Sequence, residues 1–426
     1  MQYKAQPIAN SAVAEQTSLQ LYYSGSWQKL EKFGEKAISK GFDYFHIRMR
    51  TGIACFEQKK HIKAIKHFEK AIYFNSSDTL ALEYLYYSYV FAGRGNEARA
   101  LIASLPESLK NRIKPPKNKA IESIYAEGGI GLSNLNNIYK TIDLDGQFNI
   151  YGETNINKTM RYLHIGTSHE LGRKLSLYQG YSNIGIECVR GFKIGNNDTF
   201  DTYNLTQHAY YISAIGQLKH FTISPAFHFI NVNFERLSAE FNYSTLKFDF
   251  VQRDTSIINY VAALSISRSI GIFTCGLNSS YAHLNSYNQL QFGLSLAYFP
   301  LANTNVYGSS MVVYLNENNT SRIILGQKIG TKVISRLWAE GGITYGNLQN
   351  YNENNAFIVF NTGDKILYKY EIALLSPLSK HLTLSLRYNF FGRENTYYRK
   401  NNLDKVESVY VNYKTQAIVG GLKWTL

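Results

Sequence analysis

The feature that most constrains this chain is a change of hydrophobic period near Pro115-Pro116. From Lys119 onward, apolar residues recur at every second position. Leu290, Phe292, Leu294, Leu296 and Tyr298 alternate with Gln291, Gly293, Ser295 and Ala297. Leu382, Leu384, Leu386, Tyr388 and Phe390 alternate with Thr383, Ser385, Arg387 and Asn389, and Phe221 to Phe229 follow the same rule through Pro225. Successive side chains of a strand point to opposite faces, so each run has one apolar face and one face of Ser, Thr, Asn, Gln and Gly. A soluble sandwich turns its apolar face inward and covers the other with Lys and Glu. Here the second face is poor in charge, the inverted arrangement of a membrane barrel with apolar residues toward lipid and polar ones toward the lumen. No stretch approaches the roughly 18 apolar residues of a membrane-spanning helix. The 34 Tyr and 24 Phe suit the membrane–water boundary, where an apolar ring with a polar tip is at home.

Connections alternate in length. Short turns fall at 172–174, 218–220, 268–271, 301–305 and 379–381; longer polar stretches fall at 191–201, 236–254, 347–355 and 393–413. Laying strands between them predicts an antiparallel transmembrane β-barrel of about fourteen strands, with twelve to sixteen compatible. Pro225 is awkward within a strand because it lacks a ladder donor. Ile418, Gly420, Leu422, Trp424 and Leu426 alternate to the end of the chain, as in the terminal strand of outer-membrane barrels. Met1 to Ile8 contain no apolar leader segment, so the barrel reading expects a secretory leader to have been removed.

Before Pro115 the spacing is helical. Trp27–Lys40, Asp43–Gln58, His61–Phe74, Thr79–Phe91 and Glu97–Leu105 read as five helices. Leu30, Ala64 and Ala98 are 34 residues apart, as are Ala37, Ala71 and Leu105. That period, with Gly52, Ala64, Phe68 and Ala71 in the best unit, is similar to tetratricopeptide repeats. The predicted organisation is an N-terminal segment (1–20), a helical α-solenoid of repeats (21–117) and the barrel (118–426). Residues 1–118 carry 18 basic and 10 acidic side chains, +8 of the chain's +14. Lys59, Lys60, Lys63, Lys66 and Lys70 are the candidate surface for an acidic periplasmic partner protein or an anionic polymer. Nucleic acid is not expected, since no aromatic residues interleave with the basic ones to stack bases.

A helical repeat module followed by such a barrel resembles the YaiO-type outer-membrane family, on Ile124-Tyr-Ala-Glu-Gly-Gly-Ile-Gly-Leu and Trp338-Ala-Glu-Gly-Gly-Ile-Thr-Tyr-Gly. The resemblance implies a place in the Gram-negative outer membrane, repeats in the periplasm, and a part in surface export of exopolysaccharide or protein. A non-conducting anchor that recruits partners is the alternative, and an outer-membrane hydrolase the third reading.

No catalytic constellation stands out. His164, Glu187, His228, Glu340, Lys369, Glu371, Arg387 and Lys423 are read as lumen-side polar residues, and Tyr181, Tyr211 and Tyr307 as lumen aromatics. The run His164-Ile-Gly-Thr-Ser-His-Glu170 has residue types of a hydrolase but no triad spacing. The three cysteines form no CxxC or Cys/His cluster, so no metal or cofactor is expected.

Overall fold

The computed structural model describes residues 10–134, 149–194, 197–401 and 405–426. The chain opens with helices α1 (Ser11–Tyr23), α2 (Trp27–Ser39), α3 (Phe45–Glu57), α4 (His61–Phe74), α5 (Thr79–Phe91), α6 (Gly95–Ile102) and α7 (Glu107–Ile113). The starts of α1, α3 and α5 are 34 residues apart, as are those of α2, α4 and α6. Helices α1 and α7 were not anticipated. The helical unit therefore begins by Ser11, inside the stretch 1–20 read as a separate segment. Helix α1 has a weakly patterned sequence, but Asn10 Oδ1 accepts from Val13 N at 2.9 Å and caps its first turn. Small residues set the packing: Ala37, Ala64 and Ala71 are fully buried, and the large Phe68 ring is buried as well. A Cβ on Gly52 would lie 2.7 Å from the Phe68 ring, so only Gly lets α3 approach α4 this closely.

His67, on α4, is buried beside Arg48, whose guanidinium lies 3.4 Å from Nδ1 and is paired to Asp43 at 2.6 Å. Burial, and then the Arg48 charge, push the imidazole down from 6.5 to about 3. The unfolded chain binds that proton more readily, so the array has its full stability above about pH 6.5 and loses it as pH falls toward 3. Thermal melts of the full chain should show the helical transition fall between about pH 7 and 5, by at most about 1.4 kcal/mol per unit. His67→Gln should flatten that slope; an unaltered slope would place the acid sensitivity elsewhere.

Beyond the helices the described residues form sixteen strands: β1 (Ser123–Ser133), β2 (Asn149–Glu170), β3 (Leu175–Ile194), β4 (Asn197–Leu218), β5 (Phe221–Asn242), β6 (Lys247–Ile270), β7 (Phe273–Leu284), β8 (Tyr287–Tyr298), β9 (Val306–Glu317), β10 (Thr320–Ile334), β11 (Leu337–Tyr345), β12 (Asn352–Glu353), β13 (Ile358–Val359), β14 (Lys365–Pro377), β15 (Leu382–Asn401) and β16 (Val406–Thr425). All but β12 and β13 form one closed antiparallel barrel of fourteen strands, sealed by pairing of β1 with β16 from Ser123↔Thr425 to Ser133↔Thr415. Leu290, Phe292, Leu294, Ile323, Leu325, Ile372, Ile418 and Leu422 lie exposed on its outside. The sheet closes on itself, so the wall at the level of the outer belt has no open edge strand, and that belt is apolar; the barrel therefore crosses a membrane.

Three of the four long polar stretches are not loops. Residues 191–201, 236–254 and 393–413 are largely strand, carrying hairpins β3–β4, β5–β6 and β15–β16 past the shorter strands. Polar alternation suits a ladder standing in water as well as it suits a loop, so polarity alone could not separate them. The fourth stretch is the true loop, and it folds inward. Pro225 has the foreseen effect: the β4–β5 ladder lapses between Ser213↔Ala226 and Gly216↔Ile223.

The five short turns read from the sequence, both barrel ends and the helical array lie at one mouth, while two-residue turns at 285–286 and 318–319 lie at the other. Ile62 N donates to Ala302 O at 3.0 Å, Asn303 Nδ2 to Lys59 O at 3.3 Å, and Arg99 pairs with Glu170 at 2.8 Å. Ile272, Phe299 and Ala302, from the turns after β6 and β8, join the helical core.

Candidate functional site: a lumen closed by its own loop

The loop 346–364 leaves β11 at the mouth opposite the helices and turns back into the lumen. Its neck is held by Asn350 N donating to Phe360 O (2.8 Å) and Phe360 N donating to Tyr351 O (3.0 Å). Strands β12 and β13 form its stem. The tip, Asn354-Asn355-Ala356, is left-handed at all three residues (φ 53°, 56° and 63°). Asn tolerates that region and Ala does not, so the tip is a strained reversal held by its surroundings.

Those surroundings are the wall. Asn355 Nδ2 donates to Ser224 O at 3.0 Å, within the gap that Pro225 opens in the ladder. His228 Nδ1 bonds Ala356 O (2.7 Å), and Tyr211 Oη donates to Asn355 O (3.2 Å). Further round the wall, on β8, Gln289 Nε2 donates to Asn350 O and Gln291 Nε2 to Asn352 O, both at 2.8 Å. Phe357 sits among the rings of His164, Tyr178 and Tyr211, at 5.2, 6.0 and 5.2 Å between centroids. Val359 packs against both the β4–β5 and the β6–β7 walls. The loop is therefore a plug spanning the lumen.

A chain of charges flanks it. Lys369 Nζ meets plug residue Glu353 at 2.6 Å and Glu371 at 3.6 Å; Lys328 meets Glu371 at 3.0 Å and Glu340 at 3.7 Å. Arg387 reaches Glu127 at 3.2 Å, which also accepts from Tyr162 at 2.6 Å and from Tyr125. Low dielectric makes such pairs mutually dependent: each carboxylate here is held by at least one cation.

Of the residues read as lumen-side, His164, Tyr211, His228, Tyr307, Glu340, Lys369, Glu371, Arg387 and Lys423 lie on inward-facing positions, Tyr307 donating to Glu340. Two do not. Tyr181 is 43% exposed on the lipid side, its hydroxyl bonded to His208 at 2.6 Å. Glu187 lies on the same outer face of β3, paired to Lys158 at 2.8 Å. The even positions of β3 face inward (Ser176, Tyr178, Ser182), so Tyr178 holds the lumen place assigned to Tyr181; parity had been counted without a fixed register.

His164 does meet a serine: Nδ1 is 2.8 Å from Ser182 Oγ, and Nε2 is 2.6 Å from Tyr178 Oη. The second nitrogen faces a phenol where a hydrolase needs an orienting carboxylate, and Phe357 covers the ring. The pair supports the plug.

The lysines of the helical array are divided. Lys60 and Lys63 both pair with Glu31, and Lys63 also approaches Glu35 at 3.5 Å. Burial raises the Glu31 carboxyl, but bonds from the two lysines outweigh it and hold the group below its usual value. Lys70 lies 4.0 Å over the Tyr73 ring. Lys59, left-handed at φ 60°, forms the turn whose carbonyl bonds Asn303. Lys66 is exposed. The five are not one free basic patch.

What was missed is the plug itself. Its signal was the run Asn347-Leu-Gln-Asn-Tyr-Asn-Glu-Asn-Asn355. So many Asn residues, which accept left-handed backbone and bond through side chains, mark a loop built to be bonded from all sides.

No protein-family model matches the chain, and no curated protein sequence does. Among solved structures, a FadL homologue of Pseudomonas aeruginosa is similar at TM-score 0.47 and 7% identity, over 71% of this chain and 90% of that one. The toluene transporter TodX of Pseudomonas putida is similar at 0.45 and 8%, over 77% and 92%. Omp33 of Acinetobacter baumannii follows at 0.33 and 8%, over 72% and 99%.

Proposed function

We propose that the chain is an outer-membrane barrel of the transport class that rests closed, with loop 346–364 as its gate. In this reading the helical array is a tetratricopeptide-type module that docks a periplasmic partner at the short-turn mouth. The observation that carries it is the plug: a loop from one mouth, bonded across the lumen through polar side chains that water could replace. A permanent stopper needs no such reversible chemistry; an apolar core would be more stable. The export of polysaccharide implied by the YaiO-type resemblance would require this plug to leave, because the cavities beside it, of about 390, 300 and 150 Å³, do not make a continuous passage for a polymer.

The test is a reversible lock. Asn352 Nδ2 and Ser280 Oγ are 3.3 Å apart, one on the plug and one on β7. In planar bilayers the native protein should open intermittently. The double variant Asn352→Cys/Ser280→Cys should fall silent on oxidation and recover on reduction. A second reading, a non-conducting anchor, is favoured by the density of plug bonds. A native protein silent under all applied voltages would select it.

A further inference from the structure

A cavity of about 390 Å³ lies between the plug and the β6–β11 wall. That is the lower range of small-molecule sites. Its walls carry Ser265, Asn278, Ser309 and Thr344, whose side chains bond to nothing else among the described residues. Thr344 is 4% exposed. From the plug side comes Asn352, 3% exposed, whose Oδ1 has no hydrogen-bond partner although its Nδ2 meets Ser280. A buried amide oxygen without a donor is costly unless something supplies one. The charged groups at the edge cancel: Lys328 and Lys369 are matched by Glu353 and Glu371 at 2.6–3.6 Å. Met311 and Val313 add short apolar surfaces.

We propose that this cavity binds a neutral polyhydroxylated solute of mono- to disaccharide size. Hydroxyl and amide groups both donate and accept, as sugar hydroxyls do, and they match at every orientation of a ring substituent. The two apolar surfaces suit the C–H faces of a sugar ring. An ionic solute would have to break the internal ion pairs, and a hydrocarbon would leave the unbonded polar groups desolvated. The assignment deepens the gated-passage reading and rests on it for its biological sense, while the binding itself does not require the gate to move.

The full chain would be held in lauryldimethylamine oxide, because maltoside and glucoside detergents carry competing headgroups. Calorimetry and saturation-transfer NMR would use maltose and trehalose, with glutamate and toluene as the contrasting probes. A disaccharide should bind saturably, and Asn278→Ala/Thr344→Val should weaken it at least tenfold while the unheated gel band stays compact. Absence of saturable sugar binding to the folded protein, equal binding by the variant, or preference for glutamate or toluene would each overturn the proposal. Sugar binding in a barrel that never conducts would sink the gating reading and leave the site standing.

Discussion

Excising the plug is expected to convert the closed barrel into a steadily conducting pore. Replacing residues 352–359 with Asn-Gly leaves the neck intact, since Phe360 N already bonds Tyr351 O at 3.0 Å and Asn-Gly makes a two-residue hairpin turn. What is lost is the material that fills the lumen: the Phe357 ring among His164, Tyr178 and Tyr211, Val359 against two walls, and the Asn355 and Asn352 bonds. What remains is a fourteen-strand wall lined by Ser, Thr, Gln and balanced charges. Water fills such a lumen, as in porins, and solute efflux from liposomes should rise at least about tenfold. Barrel closure by β1 and β16 does not involve the plug, so the excised protein should keep its compact, heat-modifiable gel band. A folded but silent variant would mean that the mouth is shut elsewhere; the pairing of β15 with β2 above the end of β1 is the place to look.

The second large effect should come from one cation. Lys369 is the only partner of Glu353 among the described residues and also faces Glu371; the lysine and Glu353 side chains are 5% and 11% exposed. Lys369→Met leaves two carboxylates in a confined space without that charge. Breaking a buried pair from one side costs about 3–5 kcal/mol. The wall carboxylate Glu371 keeps Lys328, but Glu353 rides on the plug and reaches water only by leaving. The cost therefore acts on the seated plug, and the closed-to-open ratio should shift by roughly two to four orders of magnitude. Adding Glu353→Gln removes the orphaned charge and should restore most of the closure. Single-channel open probability reads both. An unchanged value in Lys369→Met, with the protein folded, would show that this pair does not hold the gate.

The barrel was legible because its signal is local. Phe292 and Leu294 must share a face whatever else the chain does; the run of such pairs predicted the class, and the spacing of the turns between them predicted about fourteen strands. The helical array was legible for a similar reason, since a 34-residue repeat of small residues is a packing instruction. Its end helices were not: α1 is weakly patterned and α7 spans only seven residues. The lumen residues were half legible. Parity placed Lys369, Glu371 and Arg387 on inward positions, but on β3 it slipped by one, and a one-residue slip exchanges lipid for lumen as it did for Tyr181 and Tyr178.

The sequence by itself determined that one end of this chain is a stack of helices and the rest a lipid-facing wall, because periodicity is written between neighbouring residues. Only the tertiary structure decided what stands inside the wall. The bonds that seat the plug join Asn355 to Ser224 across 131 positions and Ala356 to His228 across 128. No local pattern encodes those pairings. They exist because a closed barrel brings β5, β8 and β14 around one narrow space, and a polar loop entering that space must bond to all of them or stay in water.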